Sequence, residues 1–488
     1  MRSPFNWRLT PLFAVLLLAG CASTDNIAPQ STLMDPQSLQ LAQPKVSSLA
    51  VSPQWWRALK DPQLDTLMTQ TLQSSPTLRQ AAARVREAQS VVGEASAANG
   101  PNLDLNASTQ RQRVPQNVNM GLGYPHKPIY SSSNSLGLNL AYEFDWWGKY
   151  RNQVNAAKAQ VNAARAEQEQ AALTLTSSVA SAYYQLQSNL ALEKLLQQEV
   201  NNNERLTALR QQRYQAGLTG VDVPQQTQAQ SDVAKQQILQ LQSQIEQLRH
   251  QLAALAGQGP NAMQHLRQVP LPADNLMAPQ GELTADLLGK RPDIAAQRQL
   301  VESYSQRVSA ARKEFYPSLT ISAFAGLMTT NTSGTSPNLF EAASQAWNVM
   351  PAISLPIFHA GALRSKLGEE SALYDEAVES YNQTILNAVQ ETADAITIQQ
   401  SSAQQQLQAA SAAQSMQQVY QVANARYQAG IIGRDDLLTS QTQLLQQQQA
   451  ELNASSNLLQ AKIGLIRALG GGRWLSGPGR SGFESIII

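Results

Sequence analysis

Cysteine is almost absent: the 488 residues hold one, Cys21, so no structural disulfide can staple the fold. Charge is scarce as well. Only 15% of residues are Asp, Glu, Lys or Arg, and the formal net charge is +1, which leaves no electrostatic footprint for nucleic acid or an acidic surface. The four histidines (His126, His250, His265 and His359) are too scattered to supply a zinc pair. No Gly-rich phosphate loop precedes a helix. Nothing therefore nominates a catalytic residue, a metal site or a cofactor, and the enzyme reading fares poorly. Past the N-terminus no apolar run is long enough to cross a bilayer as a helix. What fills the chain instead is Gln, Ala, Ser and Asn, a mixture suited to long helices with weakly charged polar faces.

The N-terminus reads as a secretory signal peptide. Arg2 and Arg8 lead, Leu9 to Leu18 form a short apolar core, and small residues follow. That core is too short to anchor the chain as a transmembrane helix. Leu18-Ala19-Gly20-Cys21 resembles the lipoprotein signal, which implies cleavage before Cys21 and acylation of its thiol and new amine. An ordinary signal peptide that happens to contain a cysteine is the alternative. Each buried CH₂ of an acyl chain adds membrane affinity. Ala22 stands where an Asp would resemble the inner-membrane retention signal, so the address reads as the outer membrane. A diacylglycerol and an N-acyl chain on Cys21 are the only non-protein groups expected.

An internal repeat organises the rest. Arg213-Tyr214-Gln215-Ala216-Gly217 recurs as Arg426-Tyr427-Gln428-Ala429-Gly430, an offset of 213 (427 − 214). The same offset aligns Trp147-Gly148 with Ala360-Gly361, and Ala256-Gly257 with Leu469-Gly470. Upstream, Pro101-Asn102-Leu103-Asp104-Leu105 answers Pro317-Ser318-Leu319-Thr320-Ile321 at an offset of 216 (317 − 101). Collinear matches over most of the chain mean two tandem copies of one unit. The expected layout is a signal peptide (1–20), a lipidated segment (21–60), repeat one (61–268), a linker (269–283), repeat two (284–472) and a flexible tail (473–488).

Each copy reads as helix, strand, strand, very long helix, turn, helix. Leu78, Ala82, Val85, Ala88 and Val92 mark the first helix, which Pro101 stops for want of an amide. Leu103, Leu105 and Ala107 alternate with polar residues, and Leu136, Leu138, Leu140, Tyr142 and Phe144 do so more strictly. In copy two the pattern continues with Leu319, Ile321, Ala323, Ala325 and Leu327, then Val349, Ile353, Leu355 and Ile357. Pro351 and Pro356 are awkward there, since proline cannot donate to a ladder. Runs of about ten residues match a tilted membrane strand, and rings at strand ends favour the lipid–water interface. Tyr142, Phe144, Trp146 and Trp147 cluster in that way, as do Phe315 and Tyr316. One half-buried sheet of a soluble domain is the alternative.

From Gly148 to Ala216 there is no proline and no interior glycine, which makes about 100 Å of helix. The return helix, Asp222 to Ala256, carries Ile238, Leu241, Ile245, Leu248, Leu252 and Leu255 in coiled-coil spacing. Val154, Ala157, Val161, Ala164, Ala171 and Leu175 fall on the same lattice in the outgoing helix, although a plain antiparallel bundle would also use them. Four membrane strands cannot remain an open sheet in lipid. Two copies would give a barrel of about eight strands, filled by its own side chains; three give twelve, the first workable conduit.

Several motifs carry a resemblance. They are Gln54-Trp55-Trp56 leading to Asp61-Pro62-Gln63-Leu64, then Leu287-Leu288-Gly289-Lys290-Arg291-Pro292-Asp293-Ile294. Phe315-Tyr316-Pro317-Ser318-Leu319, the paired Arg-Tyr-Gln-Ala-Gly turns and Ala468-Leu469-Gly470-Gly471-Gly472 complete the set. From Cys21 to about Trp474 the chain resembles the TolC-like outer-membrane factors of tripartite efflux systems, in the lipoprotein branch with OprM and NodT-type channels. The resemblance implies a mainly α fold with membrane β: a homotrimer whose twelve-stranded β-barrel in the outer membrane continues into a periplasmic α-barrel. It implies a passive exit duct for drugs and other xenobiotics, served by a periplasmic membrane-fusion adaptor and an inner-membrane pump of the RND or major-facilitator type. A lipid-anchored periplasmic coiled-coil scaffold or adaptor without a pore is the other reading, though it leaves the oily strands unexplained.

The sequence departs from the family pattern twice. Where the family has P-I/L-F-D-G-G, this chain has Pro356-Ile357-Phe358-His359-Ala360-Gly361, and a Gly- and Ser-rich tail follows Trp474. The turns Gly217-Leu218-Thr219-Gly220 and Gly430-Ile431-Ile432-Gly433 are the expected periplasmic tips, where glycine ends each long helix. The resemblance adds adaptor docking and closure of the duct at these tips. The acidic gate it implies falls on Asp435 and Asp436, with Asp222 as the copy-one counterpart, while Thr439 replaces a second family acid. Helix N-capping is the simpler role for such acids.

Overall fold

The computed structural model describes residues 24, 26–35, 53–114, 129–272, 291–331 and 338–471. The signal and acylation segment with Cys21, most of the linker, Leu287 to Lys290, and the tail lie outside the described residues. Two compact units divide the chain. One takes in the described residues of Met1–Leu33, Val85–Ala163 and Gln297–Ser380, the other those of Met34–Arg84, Ala164–Ala296 and Tyr381–Ile488.

Copy one contains α1 (Pro62–Ser74), α2 (Pro76–Ala97), β1 (Asn102–Val114), β2 (Ile129–Phe144), α3 (Lys149–Gln215) and α4 (Asp222–Leu255). Copy two contains α5 (Pro292–Lys313), β3 (Ser318–Asn331), β4 (Gln345–Ser354), α6 (Ala362–Gln428) and α7 (Arg434–Ala468). The long helices α3 and α6 are each 67 residues, and their first residues are 213 apart (362 − 149). Left-handed glycines repeat at the same interval: Gly148 with Gly361, Gly217 with Gly430, and Gly257 with Gly470. The duplication is thus written into the backbone as well as the sequence. One element exceeds the expected order. α1 precedes the helix of Leu78 and Val85, and Asp61-Pro62 explains it: the Asp61 carboxylate caps the amides of Gln63 (2.9 Å) and Leu64 (3.1 Å), and Pro62 fits the first turn.

The first unit is built on one antiparallel sheet in the order β1-β2-β3-β4. Its register lines up one apolar face across all four strands. Leu105 sits opposite Leu138, Leu140 opposite Ala323, and Ala325 opposite Trp347. The other face carries Asp104 opposite Asn139, Ser108 opposite Ser135, and Thr320 opposite Ala352. Leu103, Leu105, Leu138, Trp347, Val349 and Ile353 remain exposed, so the apolar face lies uncovered among the described residues. Among the described residues β1 pairs only with β2, and β4 only with β3.

The fourth strand is shorter than its alternation suggested. It ends at Ser354, which leaves Leu355 and Ile357 outside it, because Pro356 cannot donate to a ladder. Pro351 stays in the ladder opposite Ile321, tolerated on a strand with one neighbour. The corner that follows keeps Gly361 left-handed, and Ala360 occupies the same region at φ 49° where the family has glycine. At the copy-one corner Asp145 caps the amides of Tyr150 and Arg151, Lys149 pairs with Glu143 at 2.6 Å, and Trp147 stacks on Tyr316 at 5.1 Å. An extended N-terminal strap also belongs to this unit: Ile27 packs against Val308, Ala311 and Leu367, and the amides of Gln30 and Ser31 donate to Asp375 at 2.9 Å.

The second unit holds the main core. Trp55, Trp56, Leu64 and Met68 pack with Val179, Tyr183, Tyr184 and Leu186 of α3, Leu241, Ile245 and Leu252 of α4, and Ile463 and Ile466 of α7. Fully burying one such side chain contributes about 1.5–3 kcal/mol. Tyr183 donates to Asp61 at 2.9 Å and accepts from Gln63 at 2.8 Å, and burial pushes its phenol well above the usual range. The Trp-Trp and Asp-Pro-Gln-Leu motifs thus fasten α1 onto α3. Arg291, from the second family motif, is 6% exposed. It donates to the carbonyl of Ala468 (2.8 Å) and to Asp293 (2.7 Å) and Glu391 (2.8 Å), tying the starts of α5 and the end of α7 to α6. The seam residues Ile238, Leu241, Ile245 and Leu252 are buried as the spacing implies, with Leu248 and Leu255 half-buried.

Candidate gate at the hairpin tips

Both repeated pentapeptides end their helices in the same way. The amide of Gly217 donates to Tyr214 and that of Leu218 to Arg213; Gly430 and Ile431 repeat this onto Tyr427 and Arg426. These are Schellman ends, and they require a left-handed residue, supplied by Gly217 at φ 71° and Gly430 at φ 72°. The conserved spacing of Arg, Tyr and Gly between copies is therefore a stop signal. Leu218 (69% exposed) and Ile431 (71% exposed) project from the tips as bare apolar side chains. Thr219 and Ile432 are half-buried, and Gly220 and Gly433 are exposed, each just ahead of the return helix.

The three acids have separate roles. Asp436 lies in the first turn of α7, and its carboxylate accepts the Gly433 amide at 3.2 Å, closing the N-terminus of that helix. Asp435 turns instead to α3. Arg210 donates to it through Nε (3.1 Å) and Nη2 (2.9 Å), and Arg213 stands 3.9 Å away. Those Arg210 hydrogen bonds hold the Asp435 carboxyl below its ordinary range. A further Arg210 bond reaches Thr227 of α4 at 2.7 Å, so one guanidinium joins α3, α4 and α7. Asp222 opens α4 and has no hydrogen-bond or ion-pair partner among the described residues. Thr439 lines a groove of about 910 Å³ between α6 and α7, together with Val419, Val422, Arg426 and Asp436.

Sequence reasoning named the acids and missed the bases. Arg210 and Arg213 lie one turn apart just before the stop signal, and that spacing was the available clue. No group of residues suited to hold a metal ion occurs among the described residues, and no described helix is long and apolar enough to cross a membrane.

The family model for outer membrane efflux proteins matches residues 67–258 and 283–471. The chain belongs to the outer membrane efflux protein family. Among relatives of this efflux protein, the multidrug resistance outer membrane protein MdtP of Escherichia coli K12 is 31% identical over 479 residues, covering 96% of each chain. The fusaric acid resistance protein FusA of Burkholderia cepacia is 34% identical over 75% of this chain and 69% of its own length. Of solved structures, the outer membrane protein VceC of Vibrio cholerae superposes with a TM-score of 0.75 at 33% identity, covering 86% of this chain and 99% of that one. The two matched stretches of this efflux protein are its two repeats, and the tips described above fall inside them.

Proposed function

We propose that this efflux protein is the passive exit duct of a tripartite pump, closed by three copies of the chain. The apolar sheet face with unpaired edges at β1 and β4 carries this reading. In lipid those edges must pair, and three chains supply twelve strands. The long hairpins then continue the duct into the periplasm. Their exposed Leu218 and Ile431, with Thr219, Gly220 and Ile432 beside them, suit docking by a membrane-fusion adaptor, behind which an inner-membrane pump of the RND or major-facilitator type delivers cargo. Cys21 anchors each chain to the outer membrane through its acyl chains. The names of relatives, multidrug and fusaric acid resistance, favour small xenobiotics as that cargo.

The tips act as the gate in this reading. Within one chain Arg210 and Arg213 hold Asp435. The repeat supplies the same elements on other faces: Arg426 is the counterpart of Arg213, and Asp222 of Asp435. Arg426 of one copy and Asp222 of the next would form the matching bond between neighbours.

Two measurements test the duct. The purified protein should run as a heat-modifiable trimer and should conduct ions in planar bilayers. A monomeric, non-conducting protein released in soluble form by Cys21→Ala would instead support the pore-free scaffold.

A further inference from the structure

In the second unit α3, α4 and α7 border a cavity of about 470 Å³, within the size range of small-molecule sites. Its polar wall is Ser177, Ser178 and Ser181 from α3, Gln251 from α4, and Gln460 and Arg467 from α7. Leu248 and Ile463 add an apolar side. Ser177 and Ser181 are four residues apart and share a helix face, turned away from Tyr183, which is buried beneath α1.

Two groups in this wall lack a side-chain partner among the described residues. The Ser177 side chain is 4% exposed, and its hydroxyl has no hydrogen-bond partner, whereas its neighbour Thr176 returns its own to the carbonyl of Ala172 at 2.9 Å. Arg467 is exposed, is the only charged residue of the lining, and has no carboxylate partner among the described residues. By contrast, Ser181 and Gln460 are already bonded to each other. A guanidinium with five donors and no counterion among the described residues, beside an unmet buried hydroxyl, is a carboxylate-shaped set of groups.

The duplication shows that the helices can pack without this chemistry. The copy-one counterpart of Arg467 is Ala254, and the copy-two counterparts of Ser177, Ser178 and Ser181 are Gln390, Glu391 and Asp394. Acids at the equivalent positions would repel an anion, so the site occurs once per chain.

We propose that this cavity binds small organic anions. The carboxylate meets the Arg467 fork and the Ser177 and Ser178 hydroxyls, and the apolar body lies against Leu248 and Ile463. The proposal deepens the duct reading by giving the wall a preference for anionic cargo, but the binding itself needs no pore.

The test is calorimetric titration of the full-length detergent-purified protein with 2-naphthoate, beside the neutral alcohol 2-naphthylmethanol. Binding of the acid is expected, at least tenfold weaker in Arg467→Ala, partly restored in Arg467→Lys, and about threefold weaker in Ser177→Ala. Arg467 is exposed, so its replacement leaves the packing intact, and trimer mobility on gels verifies this; Arg467→Gln serves if the Ala variant fails to assemble. No binding of naphthoate, equal binding by Arg467→Ala, or equal binding of the alcohol would overturn the site. Bilayer recordings on the same samples separate the two readings. A conducting protein that ignores naphthoate sinks the site alone, and a non-conducting protein that binds it sinks the duct alone.

Discussion

The guanidinium of Arg210 grips the carboxylate of Asp435 with two hydrogen bonds while its third arm holds Thr227. Both charged side chains are about one-fifth exposed, so the bond is partly screened and contributes about 1 kcal/mol to holding α3 and α7 together at the tip. Arg210→Ala should loosen the tip. Single-channel recordings should show a several-fold longer open time; unchanged gating would remove Arg210 from the gate.

The pH response of that bond has a definite sign. The folded carboxyl of Asp435 is depressed below its unfolded value of 3.8. Its contribution is therefore fully present above the unfolded value and is lost as pH falls through the lower folded value. Titrating from pH 7 to 5 should leave gating by this pair unchanged. A gate that opens over that interval would have to owe it to other groups.

Ala360 stands at φ 49° at the corner between β4 and α6. A left-handed alanine costs about 1–2 kcal/mol, part of which glycine recovers after its own entropy loss. Ala360→Gly should therefore stabilise the protein by roughly 1 kcal/mol, read as a higher midpoint in denaturant. A lower midpoint would show that the strain is relieved elsewhere.

Arg291 is buried against the Ala468 carbonyl and two acids. Arg291→Ala leaves that carbonyl only its longer bond from Thr392 (3.3 Å) and leaves Asp293 only the Ile294 amide (2.9 Å), at a cost of about 1–3 kcal/mol. Arg291→Lys should recover little, because an ammonium cannot reproduce the fork. Denaturant unfolding measures both, and a neutral Lys variant would contradict the fork argument.

The two faces of the sheet should answer differently to charge. Leu138 lies on the apolar face and Asn139 on the polar one. An arginine on a lipid-facing position near the midplane costs about 2–4 kcal/mol. Leu138→Arg should reduce the yield of heat-modifiable trimer strongly and Asn139→Arg only slightly. Equal losses would count against a lipid-facing sheet.

The parts that sequence reading reached are those with a short period. Alternation placed the apolar faces of β1, β2 and β3, and the 3-4 spacing placed Ile238 and Leu241 in the core, because both patterns report burial along a single element. The pentapeptide marked the helix ends, since a Schellman stop is local chemistry. What escaped was settled between elements. Nothing near Asp435 in sequence reveals Arg210, which lies 225 residues away, and nothing near Asp61 reveals Tyr183. The length of β4 was misjudged because alternation continues through Leu355 and Ile357 while Pro356 has already ended the ladder.

The N-terminal strap sets an order on folding. The amide of Gln30 finds its acceptor, Asp375, 345 residues later, and that of Met34 bonds Asn382 at 2.8 Å. A chain made from its N-terminus at about 5–20 residues per second needs roughly 20–70 s before those acceptors exist. Until then the amides of Gln30, Ser31 and Met34 lack those acceptors. The strap therefore cannot close before the first part of the second repeat has been made, and the N-terminal end of the chain must wait for it.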